Sequence, residues 1–430
     1  MSDAFQLPKL VPLTPKLARL VLSKLRDGTS PPGAVEHLWV DRGGWAAKMS
    51  KQLDRVAEDD LTDLRIATGE YGSGKSHALA AIATLALSKN WAVSRLRFAD
   101  TDGLDSTTMF HLIARNLIVA ERIKGKDADA ANAYMGISQD GTDWLFRHEA
   151  RKLLKKHTKE PLPAQSADRA LARLIESASL PISASRALSA FCRAEWDGST
   201  DLRNAVSAWW LNGEPMRRPV ALEKQTNGMS MIGALARIVR AFGYPGLLVT
   251  IDEVEDVRKL APKKRSAAWE NLRAQIDFSE APGLMLVLAL ATAGLTGKEG
   301  PEENDALASR LRVAKRAALD PEKKFDPNAT ILALDKLKFS EGDLRSVARQ
   351  LRGIFAEGFG KAETRLEDGE IDQITQDVIE EAGRAETDRC RTLVQMIVQV
   401  LNERREDGDF SLDGLRETIR DVIRREPRRN

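Results

Sequence analysis

The chain has 430 residues, of which 43% are hydrophobic and 30% charged, so it carries enough apolar material for a packed core and wholesale disorder is excluded. Lys plus Arg total 65 against 63 Asp plus Glu, a net charge of +2, which excludes a chain-wide polycation for nucleic acid but not local basic patches. Aromatics at 5% argue against an all-β sandwich, and two cysteines, Cys192 and Cys390, are too few for a disulfide framework or a four-thiolate zinc site.

The first thirteen residues carry Pro8 and Pro12 and no cationic-then-apolar signal pattern. A short amphipathic helix is expected over 15–26, with Leu17, Leu20, Val21 and Leu25 on one face. Asp27-Gly28 ends it, and Ser30-Pro31-Pro32-Gly33 reads as a turn. A second helix is expected over 44–58. Leu64 to Thr68 is a short apolar strand that runs straight into Gly69-Glu70-Tyr71-Gly72-Ser73-Gly74-Lys75-Ser76. Ala78 to Ser88 is helical, and 91–98 reads as the next strand, closing a β-α-β unit.

From about 104 to 240 the periodicity is helical with no convincing strand, and helices are expected near 106–124, 142–157, 167–178, 184–195 and 201–211. Strand signals return at 246–251 and 284–290, with a weaker one at 329–334, and a helix lies between them around 266–275. The last hundred residues read as helices near 341–357, 370–382, 388–405 and 411–425. Strands that are apolar throughout are buried on both faces, so the expected fold is α/β with a five-stranded parallel sheet. The expected layout is a helical lead-in over 1–60, a core over 61–335 interrupted by the insertion, and a helical region over 336–430. The longest apolar run, Leu284 to Ala293, is about half a membrane span, so a soluble cytoplasmic protein without membrane contact is expected.

Gly69-x4-Gly74-Lys75-Ser76 has the full Walker A spacing. Glycines let backbone N–H groups curl toward phosphate oxygens, and the following helix adds its N-terminal dipole. Lys75 supplies a cation for the β- and γ-phosphates, and the Ser76 hydroxyl can ligate Mg²⁺. The nucleotide-binding stretch is therefore Gly69, Glu70, Tyr71, Gly72, Ser73, Gly74, Lys75, Ser76 and His77. Glu70 is expected to point outward and His77 to pack structurally.

Leu247 to Ile251 ends in Asp252 and Glu253, placing two acids at the carboxyl edge of a parallel sheet, where ligands bind. Asp252 suits a metal-holding role and Glu253 can polarise an attacking water. A solvated strand end is the alternative. Thr292 ends the next apolar strand and is a candidate γ-phosphate sensor. Arg310 and Arg312, on a helix-like stretch, are candidates for an arginine that reaches a neighbouring subunit's nucleotide.

Together these residues resemble the AAA+ ATPases of the origin-recognition-complex-like branch. Gly342-Asp343-Leu344-Arg345 opens a helix after the last strand, and the resemblance makes Arg345 the lid arginine. A closer likeness lies in Gly28 to Val35, in Gly69-Glu70-Tyr71-Gly72-Ser73-Gly74-Lys75-Ser76-His77, in Ile251 to Glu255, and in Arg391-Thr392-Leu393-Val394. It is to the BrxD-type ATP-binding proteins of BREX-like phage-defence clusters; Ala78 stands where that family tends to carry a bulkier residue. The resemblance implies ATP and Mg²⁺ as ligands, a role in phage defence, and a superfamily-2 helicase as a candidate partner, with self-association and DNA as further candidates.

Arg147, Arg151, Lys155 and Lys159, with Lys152 and Lys156, form one cationic helix face that suits DNA phosphates or is simply solvated. The tail arginines Arg424, Arg425, Arg428 and Arg429 are diluted by neighbouring acids. Two functional readings stand: an ATP-hydrolysing AAA+ protein acting on DNA or with a DNA-processing partner, and a nucleotide-gated switch or scaffold with slow or absent turnover. A small-molecule kinase is disfavoured by Glu253.

Overall fold

The computed structural model describes residues 5–31, 33–124, 130–225, 227–296, 299–301, 304–361, 366–384, 388–407 and 414–425. Pro32 of the expected turn, 411–413 of the last expected helix, and Arg428 and Arg429 lie outside them, as do the side chains of Arg424 and Arg425. The lead-in forms α1 (Pro15–Arg26) and α2 (Trp45–Glu58). Thr14 caps α1 by accepting from the Leu17 N–H, and Pro15 fills the first helical position, where no N–H is needed.

The sheet opens with β1 (Thr62–Gly69), then α3 (Lys75–Ser88) and β2 (Ala92–Arg97). The insertion follows as α4 (Ser106–Asn116), α5 (Ala120–Ile123), α6 (Ala130–Tyr134), α7 (Gly141–Lys156), α8 (Pro163–Ser177), α9 (Ile182–Trp196), α10 (Thr200–Asn212) and α11 (Gly228–Ala241). The single helix expected over 106–124 is broken at Leu117–Val119. There Ile118 exchanges two backbone hydrogen bonds of 2.8 Å with Val93, so the sheet edge takes the backbone groups that a helix would have used.

The chain returns through β3 (Leu247–Asp252), α12 (Pro262–Asp277), β4 (Leu284–Ala291), α13 (Thr292–Leu295), α14 (Asp305–Leu319) and β5 (Ile331–Ala333). The last helices are α15 (Glu341–Phe359), α16 (Asp368–Arg384), α17 (Arg389–Asp407) and α18 (Leu415–Arg425). A capping box between Ser340 and Asp343 starts α15. All five strands are parallel, in the order β2-β3-β4-β1-β5, as the α/β expectation requires. All eight residues of the central β4 are buried, which explains its unbroken apolar run.

Two cores cover the two faces of the sheet. Ala67, Leu248, Val287 and Leu332 pack with α1, α2, α3 and the C-terminal helices. Ile66, Val249, Leu288 and Ile331 pack with the insertion, α12 and α14 on the other face. The lead-in and the chain's last hundred residues thus share one core. No helix among the described residues is long and apolar enough to cross a membrane.

Candidate functional site

Register brings the site together. Gly69 pairs with Ala291, and Ile251 pairs with Leu288, so β1, β3 and β4 end at nearly the same height. The phosphate loop, Thr292, and the pair Asp252 and Glu253 therefore share the carboxyl edge of the sheet. Because β4 lies between β1 and β3, Thr292 stands between the loop and the two acids.

The loop itself needs its glycines. Gly72 and Gly74 have φ of +83° and +89°, which L side chains rarely adopt, and Gly74 delivers the chain into α3. Lys75 is buried, and its Nζ donates to the carbonyls of Gly69 at 3.0 Å and Glu70 at 3.1 Å while lying 5.2 Å from the Tyr71 ring centre. Glu70 is exposed, as expected. Tyr71 is exposed as well, and partial loss of water together with the charges of Glu255 and Asp256 pushes its hydroxyl up. His77 stacks on Trp39 with ring centres 5.7 Å apart. Burial and then the charge of Arg42 hold His77 down at about 4, so it stays neutral at physiological pH and packs structurally.

Glu253 sits in the left-handed region at φ +60°, and its N–H donates to the Asp252 carboxylate at 2.9 Å. Loss of water, then Asp252 and Asp256, push the Glu253 carboxyl up from its ordinary value, making it a better proton acceptor. Glu255 is buried and accepts from the Ala291 N–H at 3.1 Å, tying the end of β4 to the acid segment.

Three residues escaped the sequence reading. Asp335, just after β5, accepts from the Glu70 N–H at 2.8 Å and from the Thr292 hydroxyl at 2.9 Å. The rule that singled out Asp252, an acid at the end of an apolar strand, applies equally to Asp335. Arg42, in the lead-in, donates to the carbonyls of Leu337 at 2.6 Å and Ser73 at 3.4 Å and lies over the Phe339 ring. Asp388, at the start of α17, packs on the loop so closely that a Cβ on Gly72 would stand 2.6 Å from its Cβ. Neither Arg42 nor Asp388 carries a local motif. The turn around Gly28 packs on the same helix, since a Cβ on Gly28 would lie 3.0 Å from the Arg391 guanidinium. The start of α17 thus lies between the Gly28 turn and the phosphate loop, touching both.

The expected lid arginine, Arg345, lies near the start of α15. It pairs with Asp372 at 3.3 Å and Glu341 at 3.6 Å, and Arg42 is the guanidinium beside the loop. Arg310 pairs with Asp277 and donates to the Ala306 carbonyl at 3.1 Å. Arg312, on the same helix, is exposed beside Val313, itself 80% exposed. On α7, Arg147 pairs with Asp143, Arg151 with Glu195 and Lys152 with Glu149, while Lys155 and Lys156 are exposed; the helix ends at Lys156, so Lys159, also exposed, is not on the expected face.

The residues present suit a nucleotide phosphate group. The Ser73 hydroxyl is buried and has no hydrogen-bond partner among the described residues, and the loop is a cradle that a Cβ at Gly69, Gly72 or Gly74 would crowd. Ser76 and Asp252 are hard oxygen donors of the kind Mg²⁺ takes. A cleft of about 720 Å³ runs beside Thr68, Thr292 and Asp335, with Lys323, Lys324 and Lys338 on its walls.

A five-stranded parallel sheet with a Walker A loop at its carboxyl edge defines a P-loop nucleotide-binding protein. The family model for the BREX system ATP-binding protein BrxC/D matches residues 13–419, and the chain belongs to that family. It is therefore an ATP-binding protein of BREX phage defence. No curated protein and no solved structure matches the chain.

Proposed function

We propose that the chain is a cytoplasmic, Mg²⁺-dependent ATPase that works in phage defence on DNA or with a DNA-processing partner such as a superfamily-2 helicase. The single observation that carries hydrolysis is the common edge of β1, β3 and β4, which gathers the loop, Thr292, Asp252 and Glu253. Loop N–H groups and Lys75 bind the β- and γ-phosphates. Ser76 and Asp252 would hold Mg²⁺, which when bound neutralises phosphate charge. Glu253 accepts a proton from a water whose oxygen attacks the γ-phosphorus. The bond from that phosphorus to the β–γ bridging oxygen breaks, leaving ADP and phosphate. Thr292 would donate to a γ-phosphate oxygen. Steady-state phosphate release with Mg²⁺ and ATP, with and without DNA, tests this reading, and a protein that binds ATP without releasing phosphate contradicts it.

A second reading, a nucleotide-gated switch with slow turnover, is favoured by the packing of Asp388 on Gly72, which links the loop to the C-terminal helices. Self-association fits α14. Arg310 is engaged by Asp277, so Arg312, exposed and without an ion-pair partner among the described residues, is the better candidate for an arginine acting on a neighbouring subunit. Light scattering with and without ATP tests that assembly. For DNA, Lys155 and Lys156 at the end of α7 and Lys159 just beyond it are exposed and have no ion-pair partner among the described residues.

A further inference from the structure

We propose that Asp335 is a positioning residue that sets the polarity of the Thr292 hydroxyl and thereby the discrimination between ATP and ADP. The inference rests on the nucleotide-site reading above. A hydroxyl has one proton to give. The Thr292 hydroxyl gives it to an Asp335 oxygen at 2.9 Å, and its oxygen also lies 3.4 Å from the Thr68 hydroxyl. A γ-phosphate offers only acceptors, so it and the Asp335 carboxylate compete for that proton. ADP has no γ-phosphate and leaves the Thr292–Asp335 bond undisturbed. The second Asp335 oxygen is committed to the Glu70 N–H at 2.8 Å, which fixes the carboxylate at the first turn of the loop and keeps it from swinging away. Ala291 ends β4 opposite Gly69, so the competition takes place beside the loop rather than at a distance.

The same geometry predicts what Asp335→Asn does. The Glu70 N–H can only donate, so the amide oxygen must face it and the amide NH₂ must face Thr292. The hydroxyl then accepts, and its proton is free for a phosphate. ATP affinity should rise relative to ADP by about 3–10-fold, the range of one neutral hydrogen bond.

The experiment is a double-mutant cycle read by calorimetric titration of ATP and of ADP on the full chain, with Asp335→Asn, Thr292→Val and both together. The expected result is a raised ATP-to-ADP affinity ratio in Asp335→Asn and no effect of that substitution when Thr292→Val is present. An unchanged ratio in Asp335→Asn, or the same change in the Thr292→Val background, overturns the proposal. Should Asp335→Asn not fold, Thr292→Val and Thr292→Ser carry the test. The ratio must fall in the valine variant and persist in the serine variant, and a ratio unmoved by valine overturns the proposal equally. A wild-type chain that binds neither nucleotide would instead remove the nucleotide-site reading itself.

Discussion

Gly72→Ala tests how the phosphate loop is joined to the rest of the molecule. Gly72 has φ +83°, and placing an L residue there costs roughly 1–2 kcal/mol. The new Cβ would also lie 2.6 Å from the Asp388 Cβ, closer than carbon atoms pack, so the start of α17 or the loop must move. Overpacking of this kind costs about 1–3 kcal/mol, for a combined loss of about 2–5 kcal/mol. Gly198→Ala is the internal control, since Gly198 has φ +70° and open space around it, so only the backbone cost of roughly 1–2 kcal/mol applies. Denaturant unfolding followed by tryptophan fluorescence measures both. Gly72→Ala should be the more destabilised, and its ATP affinity should also drop because the loop has shifted. Equal stability losses at the two positions would refute the close packing of α17 on the loop.

Lys75→Ala removes the phosphate cation, and at ~1.5–3 kcal/mol for a hydrogen bond to a charged group the affinity for ATP should weaken by at least tenfold in calorimetric titration; equal affinity would dismiss the loop as a phosphate site. His77 is held at about 4 in the folded chain against about 6.5 when unfolded, so the unfolded state takes up the proton first as pH falls. That part of the stability is intact above about pH 6.5 and is lost as pH falls toward 4, by about 2 kcal/mol between pH 7 and pH 5. His77→Asn should remove this component, and identical pH slopes in the two chains would show that His77 is not buried in neutral form.

The strands and the loop were legible because their signals are local. An apolar run such as Leu284 to Ala291 can be satisfied only in the middle of a sheet, and the Gly69 to Ser76 spacing states its own geometry. Boundaries moved where tertiary contacts intervened. Ile118 left the expected helix to bond Val93, and α8 began at Pro163 rather than 167 because proline suits a first turn. Of the site, the residues carried by strand ends were readable, whereas Arg42 and Asp388 reach the loop from opposite ends of the chain. Arg345 adds a contact of the same kind: its ion pair with Asp372 on α16 is one that no local pattern announces.

Glu253 carries the central claim that this chain hydrolyses ATP. Its carboxyl is pushed up by loss of water and by Asp252 and Asp256. The decisive measurement is phosphate release by wild type and Glu253→Gln at saturating ATP and Mg²⁺, alongside ATP titration of both. The account predicts similar ATP affinity and turnover reduced by about 10² or more in the glutamine variant. Equal turnover in the two proteins would contradict it and reduce Glu253 to a strand-end residue.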